Sequence, residues 1–69
     1  ADERLAWVRR SFETLPEKQR TALQLRDIDG HSYQEVATAM EISESDVKVT
    51  LHRARQALKE KLSHLRFHL

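Results

Sequence analysis

A continuous apolar seam in the last third of the chain constrains the fold more than any other feature. Apolar side chains recur there at steps of four and three residues, at Val47, Leu51, Ala54, Leu58, Leu62 and Leu65. This spacing is typical of one face of an α-helix. Ser43 can cap such a helix with its hydroxyl, and the acids that follow suit its positive end. The seam therefore predicts a helix from Glu44 to about Ser63.

A second, shorter apolar stripe comes just before this seam, at Tyr33, Val36, Ala37 and Met40. Ser32 stands ahead of the stripe with Glu35 three residues on, which is the spacing of a capping box. The predicted helix is only about eight residues long, so it cannot be stable alone. We expect neighbouring helices to hold it.

The beginning of the chain carries a third apolar pattern. Leu5, Val8 and Phe12 recur at helical steps with Trp7 beside them, which predicts a helix from Asp2 to Thr14. We expect four large side chains to lie in the core: Trp7, Phe12, Tyr33 and Met40. The Tyr33 hydroxyl is expected at the surface.

Pro16 separates this first helix from a second one. A proline disfavours helical backbone at the residue before it and suits the first turn of a new helix. The second helix should run to about Arg26 or Asp27. Gly30 then marks a turn, because glycine adopts positive φ freely.

The composition favours helices throughout. The 69 residues include one Gly, one Pro and no Cys, so neither disulfides nor a cysteine-based metal site can staple the fold. We predict an all-α fold: a single small four-helix domain over residues 1–69 with a C-terminal helix-turn-helix. No apolar run approaches a membrane span and no secretory signal is visible, which favours a cytoplasmic protein. Since the chain begins with Ala, we expect it to be a processed product or a piece of a longer protein.

The net charge of +1 conceals an asymmetry along the chain. The residues from Lys48 onward carry a net +5, whereas those before it carry −4. A basic C-terminal third suggests an element that faces a polyanion, although a solvated helix face would look the same.

The outward face of the last predicted helix is polar and basic. At about 100° per residue, the side opposite the seam carries Ser45, Val49, His52, Arg53 and Gln56. A short capped helix, a turn of about four residues and a second helix of this kind form the pattern of a helix-turn-helix, whose second helix enters the major groove. Many helical hairpins share the pattern, so it indicates DNA binding without establishing it.

The stretch LPEKQRTALQLRDIDGHSYQEVATAMEISESDVKVTLHRARQAL, Leu15 to Leu58, resembles region 4 of bacterial sigma factors, in particular the extracytoplasmic-function group. The matching positions are Leu15-Pro16, Arg20, Leu23, Gly30, Ser32-Tyr33, Glu35-Val36-Ala37, Ile42-Ser43, Val47-Lys48, Leu51 and Arg53-Ala54-Arg55. The resemblance implies that the last helix reads the −35 promoter element and directs RNA polymerase to initiate transcription. It also implies packing on the flap of the polymerase β subunit and, in many members, masking by an anti-sigma factor.

When the family's positions are matched one by one to this sequence, the resemblance implies that Lys48, Val49, His52 and Arg53 face the DNA groove. It implies that Arg55 and Lys59 contact phosphates. Together with the outward face, the predicted DNA-binding residues are Ser45, Lys48, Val49, His52, Arg53, Arg55, Gln56 and Lys59. Arg20 and Arg26 match basic positions that face either the flap or the DNA backbone.

The residue type indicates a specific DNA contact more strongly at some of these positions than at others. Arg53 is the best candidate for reading a base, because a guanidinium can contact guanine bidentately. Val49 could contact a thymine methyl or an apolar patch on a protein, or it could be a lone exposed side chain. Lys48 suits a base or a phosphate, and so does His52. Each of these residues is otherwise an ordinary solvated side chain.

This chain departs from the family pattern in the turn and in the last helix. Glu41 stands where the family often has Gly, so a positive φ there would be strained. Glu44 and Asp46 place acids where phosphates would lie, and Val49 and Thr50 replace common Ser and Arg. These changes weaken the electrostatic case for tight DNA binding by the domain alone.

The departures motivate an alternative function of another class: a sigma-like interaction module that binds an anti-sigma factor rather than DNA. An enzyme has little support, because no nucleophile–base pair, phosphate-cradling glycine loop or metal triad is visible. His64 and His68 are four residues apart and could share a metal, but they lack a third ligand. We therefore expect no cofactor.

Overall fold

The computed structural model describes residues 3–63, which form four α-helices. Their bounds are Glu3–Glu13 for α1, Glu17–Leu23 for α2, Tyr33–Met40 for α3 and Glu44–Ser63 for α4. Helix α2 continues directly into a π-helical segment, Gln24–Ile28, called the π segment below. The predicted all-α fold with a C-terminal helix-turn-helix is confirmed. The second helical stretch ends at Ile28, just beyond the predicted end.

Both predicted helix starts are capped as expected. The Ser32 Oγ accepts the Glu35 backbone N–H at 3.0 Å, and Glu35 Oε1 accepts the Ser32 N–H at 2.8 Å. Ser43 Oγ accepts the Asp46 N–H at 3.0 Å. These bonds satisfy backbone donors that a helix start leaves free. The caps therefore fix where α3 and α4 begin, and with them the turn of the helix-turn-helix.

The turns before and after α3 both use left-handed backbone. Gly30 has φ +79 and Glu41 has φ 57. At the α3–α4 turn the Ile42 N–H donates to the Ala37 carbonyl at 3.0 Å and the Glu41 N–H to Thr38 at 3.3 Å, which is the Schellman ending of a helix. Glu41 thus adopts the conformation that the family's glycine would take, with the strain that this implies for a residue with a Cβ.

The core lies where α2 and α3 pack against α4. Its buried apolar residues are Leu15, Ala22, Leu23, Val36, Ala37, Val47, Leu51 and Ala54. The seam of α4 is therefore confirmed at Val47, Leu51 and Ala54, and it becomes half-buried at Leu58 and Leu62. Leu65 lies outside the described residues. This packing turns the opposite side of α4 outward.

The prediction that Trp7 belongs to the core is wrong. Its side chain is 44% exposed, and Leu5 and Val8 on the same helix are exposed too. Helix α1 turns its Ser11 inward, a small residue that allows close approach, while the earlier turns extend past the core. The Arg10 guanidinium instead lies over the Trp7 ring, with its Cζ 5.4 Å from the ring centroid. Phe12, Tyr33 and Met40 are partly buried and do pack against the core.

Two arginines brace the connections between helices. Arg20 Nη1 donates to the carbonyls of Glu13 at 3.1 Å and Leu15 at 3.4 Å, across the junction of α1 and α2. Arg26 Nη1 donates to the His31 carbonyl at 2.9 Å and spans the turn before α3. Both guanidiniums are thus engaged with the domain's own backbone.

Over residues 3–63, no helix combines the length and apolar character that a bilayer crossing requires.

Candidate nucleic-acid interface

The outward side of α4 carries every residue predicted to bind DNA. All are exposed, and they are Ser45, Lys48, Val49, His52, Arg53, Arg55, Gln56 and Lys59. The inward side of the same helix is closed by Val47, Leu51 and Ala54. The helix therefore presents one continuous polar and basic surface, called the outward face below.

The helical geometry divides this face into a centre and two flanks. At about 100° per residue, Ser45, Val49, His52 and Gln56 lie along its centre. Lys48, Arg55 and Lys59 lie along one flank, and Arg53 lies along the other. The outward face thus has the arrangement of a groove-reading helix, with short or neutral groups in the middle and cations at the sides.

Arg53 is an exposed cation of this face. Within residues 3–63 its guanidinium makes no hydrogen bond or ion pair, although its charge helps to lower the pKa of nearby Asp46. Val49, at the centre of the face, is 46% exposed. A guanidinium and an aliphatic group side by side can contact a guanine edge and a thymine methyl, respectively.

Arg55 is engaged differently. Its Nη2 donates to Asp27 Oδ1 at 2.6 Å and its Nε to Asp27 Oδ2 at 3.0 Å, a bidentate pair with the end of the π segment. Hydrogen bonding with Asp27 raises the pKa of Arg55, and the same bonds hold the pKa of Asp27 below its ordinary value. The predicted phosphate contact is thus already paired with an acid in the free protein.

Two further cations lie near the Tyr33 ring, beside Arg55. The Arg26 guanidinium lies 4.5 Å from the centroid of this ring, and the Lys48 ammonium lies 5.6 Å from it. Tyr33 also contributes to raising the pKa of Arg55. Local sequence patterns do not indicate this group, because Arg26, Tyr33 and Lys48 come from three different elements. The capped start of α3 and the flank of α4 therefore form one cationic patch.

The acid at the start of α4 is neutralised within the domain. Asp46 accepts from Lys18 Nζ at 2.9 Å and 3.1 Å, and from Thr50 Oγ1 at 3.1 Å. The Lys18 hydrogen bonds are the main cause of its lowered pKa. Lys18 is 28 residues away in the chain, so sequence spacing could not have revealed the pair. Asp46 consequently repels a phosphate less than its position in the sequence suggests, whereas Glu44 is exposed.

A largely apolar groove runs beside α1, and Arg9, Glu13, Gln24 and Asp27 line part of it. Leu5, Val8 and Phe12 line it from α1, Ile28 from the π segment and Leu58 from α4. Leu5 and Ile28 are 64% and 62% exposed. Exposed aliphatic side chains that cluster in a groove suit a protein partner better than a nucleic acid.

A metal centre finds no support in the part of the chain that the structure describes. No group of three or more His, Cys, Asp or Glu side chains is placed there to hold an ion. His64 and His68 lie outside residues 3–63.

The family model for Sigma-70, region 4 matches residues 5–58. The chain is 41% identical over 64 residues to the RNA polymerase sigma-H factor of Pseudomonas aeruginosa, covering 93% of this chain and 33% of that protein. It is also 41% identical over 56 residues to the ECF RNA polymerase sigma-E factor of Escherichia coli, covering 81% of this chain and 29% of that protein. The same holds for the sigma-E factor of Salmonella typhimurium. This chain spans about a third of the length of these relatives, and it belongs to the sigma-70 region 4 family.

Proposed function

We propose that the chain recognises promoter DNA by placing the outward face of α4 in the major groove. The observation that carries this proposal is that Val49 is exposed at the centre of that face and that Arg53, on the flank beside it, is exposed too. The proposed function is binding, not catalysis.

Base recognition falls to the centre of α4 and to Arg53. Arg53 contacts guanine O6 and N7, a contact worth about 1–3 kcal/mol of discrimination. Val49 contacts a thymine methyl. Ser45, His52 and Gln56 lie on the same strip and can donate or accept at neighbouring base edges.

Phosphate contacts fall to the flank that carries Lys48 and Lys59. Tyr33 and Arg26 extend this flank toward the start of α3. Such contacts fix the position of the helix on the duplex without reading its sequence. Arg55 belongs to the same flank, but its guanidinium is paired with Asp27.

The names of the relatives support a role in transcription. Their names assign them to RNA polymerase as sigma factors, and we propose that this chain is the part of such a factor that reads the −35 element. Because it covers about a third of those proteins, we expect weak binding alone and useful affinity only with the rest of the factor and the polymerase. A role with the polymerase implies a cytoplasmic location.

Protein partners are proposed for the apolar groove beside α1. The flap of the polymerase β subunit and an anti-sigma factor are the two partners that the family suggests. The exposed Leu5 and Ile28 support a protein contact of this kind. The groove does not include the predicted base-reading residues, so contact with the flap there is compatible with DNA recognition. An anti-sigma factor would have to extend beyond the groove to mask the outward face of α4.

Paired variants test the base-reading role. Duplexes bound by the chain are first selected from a random library, and binding of Arg53→Ala and Lys59→Ala to the selected and to altered sequences is then compared. We expect Arg53→Ala to lose preference at a small number of base positions. Lys59→Ala should weaken binding to all sequences alike and flatten the salt dependence by about one unit. Equal weakening on every sequence by Arg53→Ala would exclude its base-reading role.

A further inference from the structure

The bidentate pair between Arg55 and Asp27 occupies a cation on the flank that should meet phosphates. We propose that Asp27 competes with DNA phosphate for Arg55 and thereby limits the affinity of the domain for any duplex. This inference rests on the proposed function, because it concerns the same surface of α4.

The competition follows from the donors of the guanidinium. Asp27 accepts from Nε and Nη2, which together form one of the forked edges that also match a phosphate. A phosphate that takes this edge must displace the carboxylate. One that uses the remaining donors comes close to the negative charge of Asp27. Either way, the acid opposes the contact.

The pair is open enough for exchange. The side chains of Arg55 and Asp27 are 47% and 38% exposed, so a DNA backbone can reach both. The partners come from different elements, α4 and the π segment. An exposed pair of this kind contributes little to stability. Its effect on a polyanion is larger, because it removes one cation from a flank otherwise formed by Lys48 and Lys59.

The salt dependence of DNA binding measures how strongly Asp27 competes for Arg55. Each phosphate neutralised by a protein cation steepens the plot of log K against log salt by about 0.9. Asp27→Asn removes the charge and keeps an acceptor for Arg55. It should restore one full cation to the flank. The gain in affinity should then be about threefold larger at 50 mM salt than at 200 mM salt.

The test measures binding to a short duplex of mixed sequence, since phosphate contacts do not depend on sequence. The matched control is Asp29→Asn, which removes the same charge two residues away, where the carboxylate accepts from Gln24 Nε2. Asp27→Asn should bind more tightly than Asp29→Asn and show the steeper slope. In an Arg55→Gln background, Asp27→Asn should add nothing beyond the gain of the control.

Several results would overturn the proposal. Equal gains from the two Asn variants, or a gain that persists without Arg55, would mean that net charge alone acts. Weaker binding by Asp27→Asn would mean that Asp27 orients Arg55 instead. If the chain binds no duplex even at low salt, the proposed function fails. The pairing itself is then read from the Arg55 Nε–H in NMR, which should exchange with water more slowly in the wild type than in Asp27→Ala, a variant that removes the acceptor. Equal exchange rates in the two proteins would refute the pairing.

Discussion

Glu41 is the residue at which this sequence departs most visibly from what its backbone requires. Its φ of 57 lies in the left-handed region, where a Cβ crowds the backbone. The Schellman hydrogen bonds of Ile42 and Glu41 hold the turn in that conformation nonetheless. The turn between α3 and α4 is therefore set by tertiary packing and hydrogen bonds rather than by the preference of residue 41.

Glu41→Gly should stabilise the domain. Relief of left-handed strain is worth about 1–2 kcal/mol, and the extra freedom of glycine in the unfolded chain offsets about half of it. We expect a net gain of about 0.5–1 kcal/mol in the free energy of unfolding, measured with urea. The matched control is Ala39→Gly on the exposed side of α3, which should cost about 1 kcal/mol. A loss of stability in Glu41→Gly would contradict the assigned strain.

Acid should weaken the fold through carboxylates that accept hydrogen bonds. The pKa of Asp27 is lowered by Arg55, that of Glu35 by the Ser32 backbone N–H, and that of Asp46 by Lys18. A lowered folded-state pKa stabilises the protein above the unfolded value, and this stability is lost as pH falls through the folded value. The melting temperature should therefore fall below about pH 4. Asp27→Asn should reduce this dependence more than Asp29→Asn does, and an unchanged pH profile would contradict the assignment.

At the scale of the elements, α4 serves two surfaces at once. Its inward side supplies Val47, Leu51 and Ala54 to the core, while its outward face stays exposed. Two ion pairs tie opposite flanks of α4 to opposite ends of the α2–π stretch, Lys18–Asp46 and Asp27–Arg55. Packing holds the helix in place, and the pairs favour one rotation of it about its axis.

Leu51→Ala should be strongly destabilising. The side chain is 1% exposed, and truncating a buried leucine costs about 2–5 kcal/mol through lost burial and the cavity left behind. A domain of this size has little more than that to lose. Leu5→Ala makes the same change at an exposed position and should shift stability by less than about 0.5 kcal/mol. Similar losses in the two variants, measured by urea unfolding, would contradict the assigned core.

The local parts of this fold could be predicted from sequence and the tertiary parts could not. The capping box at Ser32, the cap at Ser43 and the seam through Leu51 depend on neighbours within a few residues, and all were confirmed. The pairing of Asp27 with Arg55 joins residues 28 apart, so no local pattern indicates it. Trp7 was misassigned because helical spacing shows that an apolar stripe exists, not how far a neighbouring helix extends to cover it.

At the scale of the whole molecule, two surfaces of different chemistry share one small core. The outward face of α4, together with the cationic patch around Tyr33, suits a polyanion. The groove of Leu5, Val8 and Ile28 suits a protein. This division matches a domain that joins DNA to a larger assembly, which is the role we propose for it within a sigma factor.

The central claim is that the outward face of α4 meets DNA. The most direct test is an NMR titration of the labelled chain with duplex DNA selected for binding, following every backbone amide. We predict that the largest shifts fall on α4 between Ser45 and Gln56 and at the start of α3, with little change around Leu5 and Val8. Shifts concentrated along α1 and the π segment, with α4 unchanged, would contradict the account.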